Sequence, residues 1–400
     1  MKASGLDVHK DTVFCGIYDG KKQKEVKEYT TLTSSIKEMG EYLKSEGVKQ
    51  VAMESTGTYW IPVWNILEEM GFELMLVNPY LIKQMPGRKS DVKDAQWIAK
   101  LLHKGLLRGS MVPDKKIREL RTYSRRYIKL TQRQTNLLQS IERNLEMCNI
   151  RISNFLSKIT GKSFLNVVRL VVEGETSPDI LMKKIHGRIK NKHGEKLIRA
   201  SLEGYVTEHH KLIIEQLLQE YDLVSGQIEY LLKKMEELVK LHYAREMRLL
   251  RTIPGINKIA AIIVLAETGA DMKAFASSSK FSGWTGFRPR NDESAGKYKS
   301  TATTKGNKYL RAILAQIAWA AVRTKGSYYK DKFTKLAMRK SRKKALIAIA
   351  RKMGVVIWNV LSKQEVFNPE RLPVYDPVKL KARLKYHERE VERLNDLIKI

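Results

Sequence analysis

Apolar and polar positions alternate with a period of two from the start of the chain. Residues 4–18 (SGLDVHKDTVFCGIY) read as two short strands joined by a tight turn. Asp19-Gly20 is a hairpin signal, and residues 25–31 can pair back on them. The period then lengthens and shortens in turn. It predicts a helix over 34–46, a strand over 48–53, a helix over 59–70, a strand over 72–77 ended by Asn78-Pro79, and a helix over 91–103. Past Pro113 the pattern is helical. Leu130, Leu137, Ile141 and Leu145 share one face, and Ile214, Leu217, Tyr221, Val224, Ile228, Leu231, Met235 and Leu238 follow in alternating steps of three and four.

The first eight elements run β-β-β-α-β-α-β-α, the order of an RNase H-like α/β domain, in which a hairpin-built sheet is extended by crossovers. The seam over 214–238 reads either as a self-association surface or as an antiparallel hairpin with a helix over 120–148. Residues 151–205 are basic and mixed, and read as a helical insertion. From Leu249 the stretch LRTIPGINKIAAIIVLAETG predicts helix, tight turn, helix. Gly255 sits at the turn, and Asn257 stands where a helix-hairpin-helix usually has a second glycine. Since asparagine tolerates positive φ, that turn is expected to survive. A helix carrying Arg311 opens at Lys305-Gly306-Asn307 and runs to about residue 323, and an amphipathic helix follows Pro377. The boundaries expected are an N-terminal domain over 1–110, a helical coiled-coil region over 111–248, a compact, mostly α domain over 249–365, and a helical tail over 366–400.

Charge changes the picture most. Among 400 residues, 74 are Lys or Arg and 43 Asp or Glu, a net charge of +31, which points to a polyanionic partner, usually nucleic acid. Cys15 and Cys148 have neither metal-site spacing nor a disulfide framework, and fit a reducing cytoplasm. The N-terminus, with Asp7, His9, Lys10 and Asp11, has no signal-peptide core, and the longest apolar run, 260–266, is too short to cross a membrane.

Acids are the rarer charge, so their positions inform. Asp7 lies in the first strand, Glu54 ends the fourth, and Asp91 and Asp94, three apart, share a helix face. In this fold those elements meet at one sheet edge. Four converging carboxylates repel one another without a cation, and oxygen ligands select hard ions, Mg²⁺ or Mn²⁺, the usual partners of phosphoryl transfer. His9 and His103 are expected outside the ligand set. In the segment 287–311, Ser294 stands among Arg288, Arg290, Lys297, Lys299, Lys305, Asn307 and Arg311, a set suited to a phosphate backbone. Ser277, Ser278 and Ser279 read as loop and helix cap, and Phe287 and Trp284 as core.

GLDVHK, MESTGTYW, LVNPYLIKQMPGRKSDVKDAQWIAKLL, IPGI, FSGWTGFRPR, SAG and TTKGNKYLR, in this order, resemble the bridge-RNA-guided insertion-sequence transposases, over residues 3 to 360. The resemblance implies a RuvC-like N-terminal domain whose DEDD tetrad is Asp7, Glu54, Asp91 and Asp94, and a C-terminal transposase domain whose catalytic serine is Ser294. Family members often carry Ser-Gly-Gly where this chain has Ser-Ala-Gly. It also implies a recombinase that excises and inserts its own element, and a structured non-coding RNA that pairs with donor and target DNA. Homo-oligomers would set the serine of one subunit beside the metal site of another. Ser294 has no histidine nearby in sequence, so its weakly nucleophilic hydroxyl needs such help. The alternatives are a RuvC-like nuclease or junction resolvase that uses water, with a C-terminal half that only binds nucleic acid, and a non-enzymatic binding protein.

Overall fold

Strand alternation at the start of the chain becomes the centre of the first unit, Met1–Pro113. The computed structural model describes residues 2–55, 57–79, 90–290, 292–294, 297–300, 302–369 and 377–398. Strands β1 (Ala3–Val8), β2 (Thr12–Tyr18), β3 (Lys27–Thr30), β4 (Gln50–Glu54), β5 (Glu73–Val77) and β6 (Gly109–Ser110) form one sheet in the order β3-β2-β1-β4-β5-β6. β1 pairs antiparallel with β2 and parallel with β4, and β4 parallel with β5. That is the expected RNase H-like arrangement. The two-residue edge strand β6 was beyond the reach of periodicity.

Every residue of β1 is buried, because both faces of the sheet are covered. Leu6, Val8 and Met53 pack with Ile36, Met39 and Leu43 of α1 (Thr33–Ser45) and with Val63 and Leu67 of α2 (Trp60–Glu69). The opposite parity, Ala3 and Ala52, packs with Ile98 and Leu102 of α3 (Asp91–His103). Gly5 sets how close α3 lies: a Cβ there would come within 2.3 Å of the Ala99 amide nitrogen and 2.4 Å of the Ala95 carbonyl oxygen.

The second unit, Asp114–Ile400, takes in the stretches expected separately as 111–248, 249–365 and 366–400. Helices α4 (Lys115–Met147) and α9 (Glu208–His242) pack along their length. Gln134 bonds Ser225 and Arg133 bonds Glu220, while Asp114 accepts from Tyr243, so low numbers meet high ones and the pair is antiparallel. The apolar seam is used inside the chain. Ile214, Leu218, Tyr221, Val224 and Ile228 are buried in the core, and Leu217 and Leu231 are partly buried against it. The insertion folds as α5 (Lys162–Val172), α6 (Pro178–Lys183), α7 (Gly187–His193) and α8 (Glu195–Ser201), and adds Phe164, Val168, Leu181, Ile198 and Leu202 to the same core.

Beyond it come α10 (Ala244–Arg251), α11 (Lys258–Thr268), α12 (Ser278–Trp284), the ribbon β7 (Asp292–Ser294) and β8 (Lys297–Ser300), then α13 (Lys308–Arg323), α14 (Tyr328–Ala337), α15 (Arg342–Lys363) and α16 (Pro377–Ile398). α15 is long and apolar enough to cross a membrane, yet Leu346, Ile349, Met353, Ile357 and Val360 are buried, as in a core helix. The turn before α11 departs from expectation. Gly255 makes it, at φ +89°, but Asn257 keeps φ −86° and serves as N-cap, its side chain accepting from the Ala260 amide at 2.8 Å. The helix terminus needs an acceptor there more than the chain needs a second left-handed residue.

Candidate active site

Parity along two parallel strands builds the acidic site. β1 and β4 are in register through Leu6 and Met53, and Asp7 and Glu54 each lie one residue further along. Both share the parity of Gly5 and Ala52, so both belong to the face that α3 covers. On α3 the buried stripe Ala95, Ile98, Ala99 and Leu102 continues backward into Asp94 and Asp91, in the first turn. Ser90, not Asp91, caps the helix, accepting from the Lys93 amide. The helix N-terminus favours negative charge on both aspartates.

Asp7 and Glu54 are buried, at 7% and 8% exposure. Burial pushes the Asp7 carboxyl up to about 6; His9 opposes the rise, and the charges of Glu54, Asp91 and Asp94 add to it. Of the four acids expected to converge, Asp7 and Asp91 share one cluster, and Glu54 and Asp94 are close enough for their charges to act on Asp7. His9 is the surprise. Its Nε2 lies 3.3 Å from Asp7 Oδ2 and 3.5 Å from Asp91 Oδ1, and the three residues offer ligand atoms within 4.8 Å of one another. The sequence held a signal for this: Asp7 and His9 are two apart at the end of a strand and so share a face. His103 is elsewhere, at the other end of α3, roughly 18 Å along the helix, its ring edge-on to Tyr18.

Ser294 belongs to the second unit and closes β7, paired with Lys297 of β8. Ala295 and Gly296 lie outside the described residues, as do the side chains of Ser294, Lys297 and Lys299. The ribbon continues downward: Arg290 N bonds Ala302 O at 3.0 Å and Thr304 N bonds Arg288 O at 2.9 Å. At its base, Gly306 packs against the turn at Gly286, where a Cβ on Gly306 would stand 2.3 Å from the Gly286 amide.

Arg288, Arg290 and Lys305 are exposed. Two other residues expected to face a phosphate backbone are turned into the fold. Arg311 donates to the Gly286 carbonyl and to Thr303 Oγ1, and lies 4.9 Å from the Phe287 ring centroid. Asn307 accepts from the Tyr309 and Leu310 amides as N-cap of α13 and donates to Glu267 Oε2 at 2.6 Å. Phe287 is core, at 1% exposure, Trp284 is half-buried against Phe275 and Phe281, and Ser277 caps α12.

Glu267 is the residue that sequence reasoning missed. It is fully buried and takes a bidentate pair from Arg125, at 2.8 and 2.9 Å. Arg121 reaches the carbonyls of Ala266 and Glu267 at the helix end. The signal was present: Glu267 is the one charged residue in the fully buried run Ala260–Thr268.

The family model of IS110 DEDD transposases matches residues 4–150, and that of the transposase IS116/IS110/IS902 family matches residues 247–334. The transposase for insertion sequence element IS1111A of Coxiella burnetii is 25% identical over 391 residues, covering 92% of this chain and 91% of that protein. The transposase for element IS1328 of Yersinia enterocolitica is 36% identical over 123 residues, 28% of this chain and 35% of that protein. Among solved structures, a Thermus thermophilus RuvC in complex with a Holliday junction substrate is similar at 14% identity and a TM-score of 0.22, over 28% of this chain and 99% of that one. With an RNase H-like sheet bearing clustered acids inside one matched segment and the serine ribbon inside the other, this chain belongs to the IS110/IS116/IS902 family of transposases, enzymes of DNA recombination.

Proposed function

We propose that this transposase is an RNA-guided DNA recombinase that excises and inserts its element by attack of Ser294 on a DNA phosphate. The observation that carries the reading is the buried Asp7 carboxyl, pushed up to about 6 first by its burial and further by the charges of Glu54, Asp91 and Asp94. Such a cluster calls for a cation. Carboxylate oxygens with one imidazole fit a hard divalent ion, Mg²⁺ or Mn²⁺, held by Asp7, Glu54, Asp91 and Asp94. When bound, it supplies Lewis-acid polarisation of the phosphate and favours an alkoxide.

The protein does the rest. The serine oxygen forms a bond to phosphorus, the bond to the departing DNA oxygen breaks, and the serine proton leaves. A DNA hydroxyl then displaces the serine, so the energy of the phosphodiester is kept for rejoining. Arg288, Arg290, Lys297, Lys299 and Lys305 counter the backbone charge near the ribbon. The chain's charge of +31 suits simultaneous binding of donor and target DNA and a structured guide RNA, with sequence choice left to base pairing. Homo-oligomers set the serine of one subunit at the acids of another.

Plasmid excision tests this. Asp7→Ala and Ser294→Ala both abolish it, the wild type yields a protein–DNA adduct stable to denaturation, and a discrete structured transcript co-purifies. A second reading, a water-using nuclease, is favoured by the acids forming their cluster wholly within Met1–Pro113. It requires Ser294→Ala to keep cutting DNA while Asp7→Ala does not.

A further inference from the structure

The helix α16 (Pro377–Ile398) lies outside both segments that the transposase family models match. Four of its apolar residues, Leu384, Val391, Leu394 and Ile398, are 61%, 56%, 46% and 81% exposed. With His387 they are spaced three and four apart through 384, 387, 391, 394 and 398, the a and d positions of heptads. A helix of 22 residues draws its stability from packing one apolar stripe. Among the described residues, these side chains are left in water.

We infer that this stripe is the seam of an antiparallel coiled coil with the same helix of a second copy of the chain. Charge selects the partner and the direction. Residues 377–386 carry four basic residues and no acid, while 387–398 carry four acids and two basic residues. Set parallel, two such helices bring like halves together. Set antiparallel, each basic half lies along the other's acidic half, and the a and d positions still coincide: Leu384 meets the partner's Leu394, and His387 meets the partner's Val391. Such a contact is isologous and closes on two chains. It depends on the helix and not on the chemistry at Ser294.

The test uses the full-length chain freed of nucleic acid at high salt, with molar mass read by light scattering. The triple variant Leu384→Glu, Val391→Glu, Leu394→Glu changes only exposed positions, so its circular dichroism stays that of the wild type. Its mass is expected to fall by half, and to fall equally in a Ser294→Ala background, which separates this surface from the nucleophile. Oxidation of a mixture of Leu384→Cys and Leu394→Cys chains is expected to give a disulfide-linked pair that neither variant gives alone. A wild-type chain that is monomeric, an unchanged mass in the triple variant, or each cysteine variant pairing with itself overturns the inference. So does an unchanged mass with weakened retention of DNA or RNA, which would make the helix a nucleic-acid contact.

Discussion

Two buried carboxylates, Asp7 and Glu267, are handled in opposite ways. Glu267 is satisfied by the protein: two bonds from Arg125, one from Asn307, and Arg121 beside it. Asp7 is pushed up to about 6 by its burial and further by the charges of Glu54, Asp91 and Asp94, with His9 the opposing group. Burial of a charge is tolerable when partners come with it and costly otherwise. An acid supplied with cations by its own chain is part of the scaffold. An acid set among other acids is one that a divalent cation would satisfy. In a chain with 74 basic residues, three further acids close enough to raise the buried Asp7 carboxyl are informative, because counter-charges were plentiful.

The largest consequence falls on activity. Asp7→Asn keeps the shape of the strand end and removes the charge, and is expected to lower plasmid excision by roughly 10⁴-fold, the scale on which loss of a reacting group acts. Ser294→Ala is expected to match it and, in contrast, to remove the protein–DNA adduct without weakening divalent-ion binding, read by calorimetry. Next comes the opposite site. Glu267→Gln leaves the half-buried Arg125 guanidinium without its counter-ion and is expected to destabilise the second unit by about 1–3 kcal/mol. Arg125→Met in the same chain recovers part of that loss, and denaturant unfolding of the single and double variants measures both. If Glu267→Gln proved neutral while Asp7→Asn collapsed the fold, the contrast between scaffold and site would be reversed.

These two sites also differ in how legible they were. The acidic cluster could be read because it rests on local rules: alternation in β1 and β4 fixes the faces of Asp7 and Glu54, and helical spacing fixes those of Asp91 and Asp94. His9 escaped because attention to acids passed over an i,i+2 neighbour. Glu267 escaped because its partners Asn307, Arg125 and Arg121 lie 40, 142 and 146 residues away, and no periodicity reports pairings of that range. Arg311 and Asn307 read as facing a phosphate backbone because their segment is polar and basic. Their side chains turn inward to the Gly286 carbonyl and the Glu267 carboxylate, targets set by tertiary packing. The seam over 214–238 showed its pattern plainly, but pattern alone could not say that the partner stripe lay within the same chain.

A smaller effect sharpens the comparison through pH. Since folding raises the Asp7 carboxyl to about 6, the folded state favours its neutral form. In metal-free protein the resulting stability is present below the ordinary aspartate range and is lost as pH rises through about 6. The full difference is about 3 kcal/mol. Metal-free wild type is therefore expected to unfold more easily at pH 8 than at pH 4.5 through this group. Asp7→Asn should lack that component, and added Mg²⁺ should restore the wild type at pH 8 alone. Thermal unfolding of the first unit with chelator and with Mg²⁺ measures it. A wild type that grows more stable across this window, with Asp7→Asn unaffected, would mean that Asp7 is a satisfied scaffold acid like Glu267.

The smallest effect concerns the turn that leads into the helix carrying Glu267. Asn257 holds φ −86° and accepts from the Ala260 amide, so its contribution is that of a cap. Removing the side-chain oxygen in Asn257→Ala is expected to cost about 1 kcal/mol, and Asn257→Gly only a few tenths. Had the residue been needed for a left-handed backbone, glycine would stabilise the turn and alanine would strain it. The ranking of Gly and Ala against wild type in denaturant unfolding therefore separates the two roles. It also bears on the contrast above, because α11 carries Glu267 near its far end. If frayed capping at Asn257 left the Arg125 pairing intact, the two Asn257 variants would lose the same amount in a Glu267→Gln background as in wild type. The additivity of well-separated sites predicts that outcome.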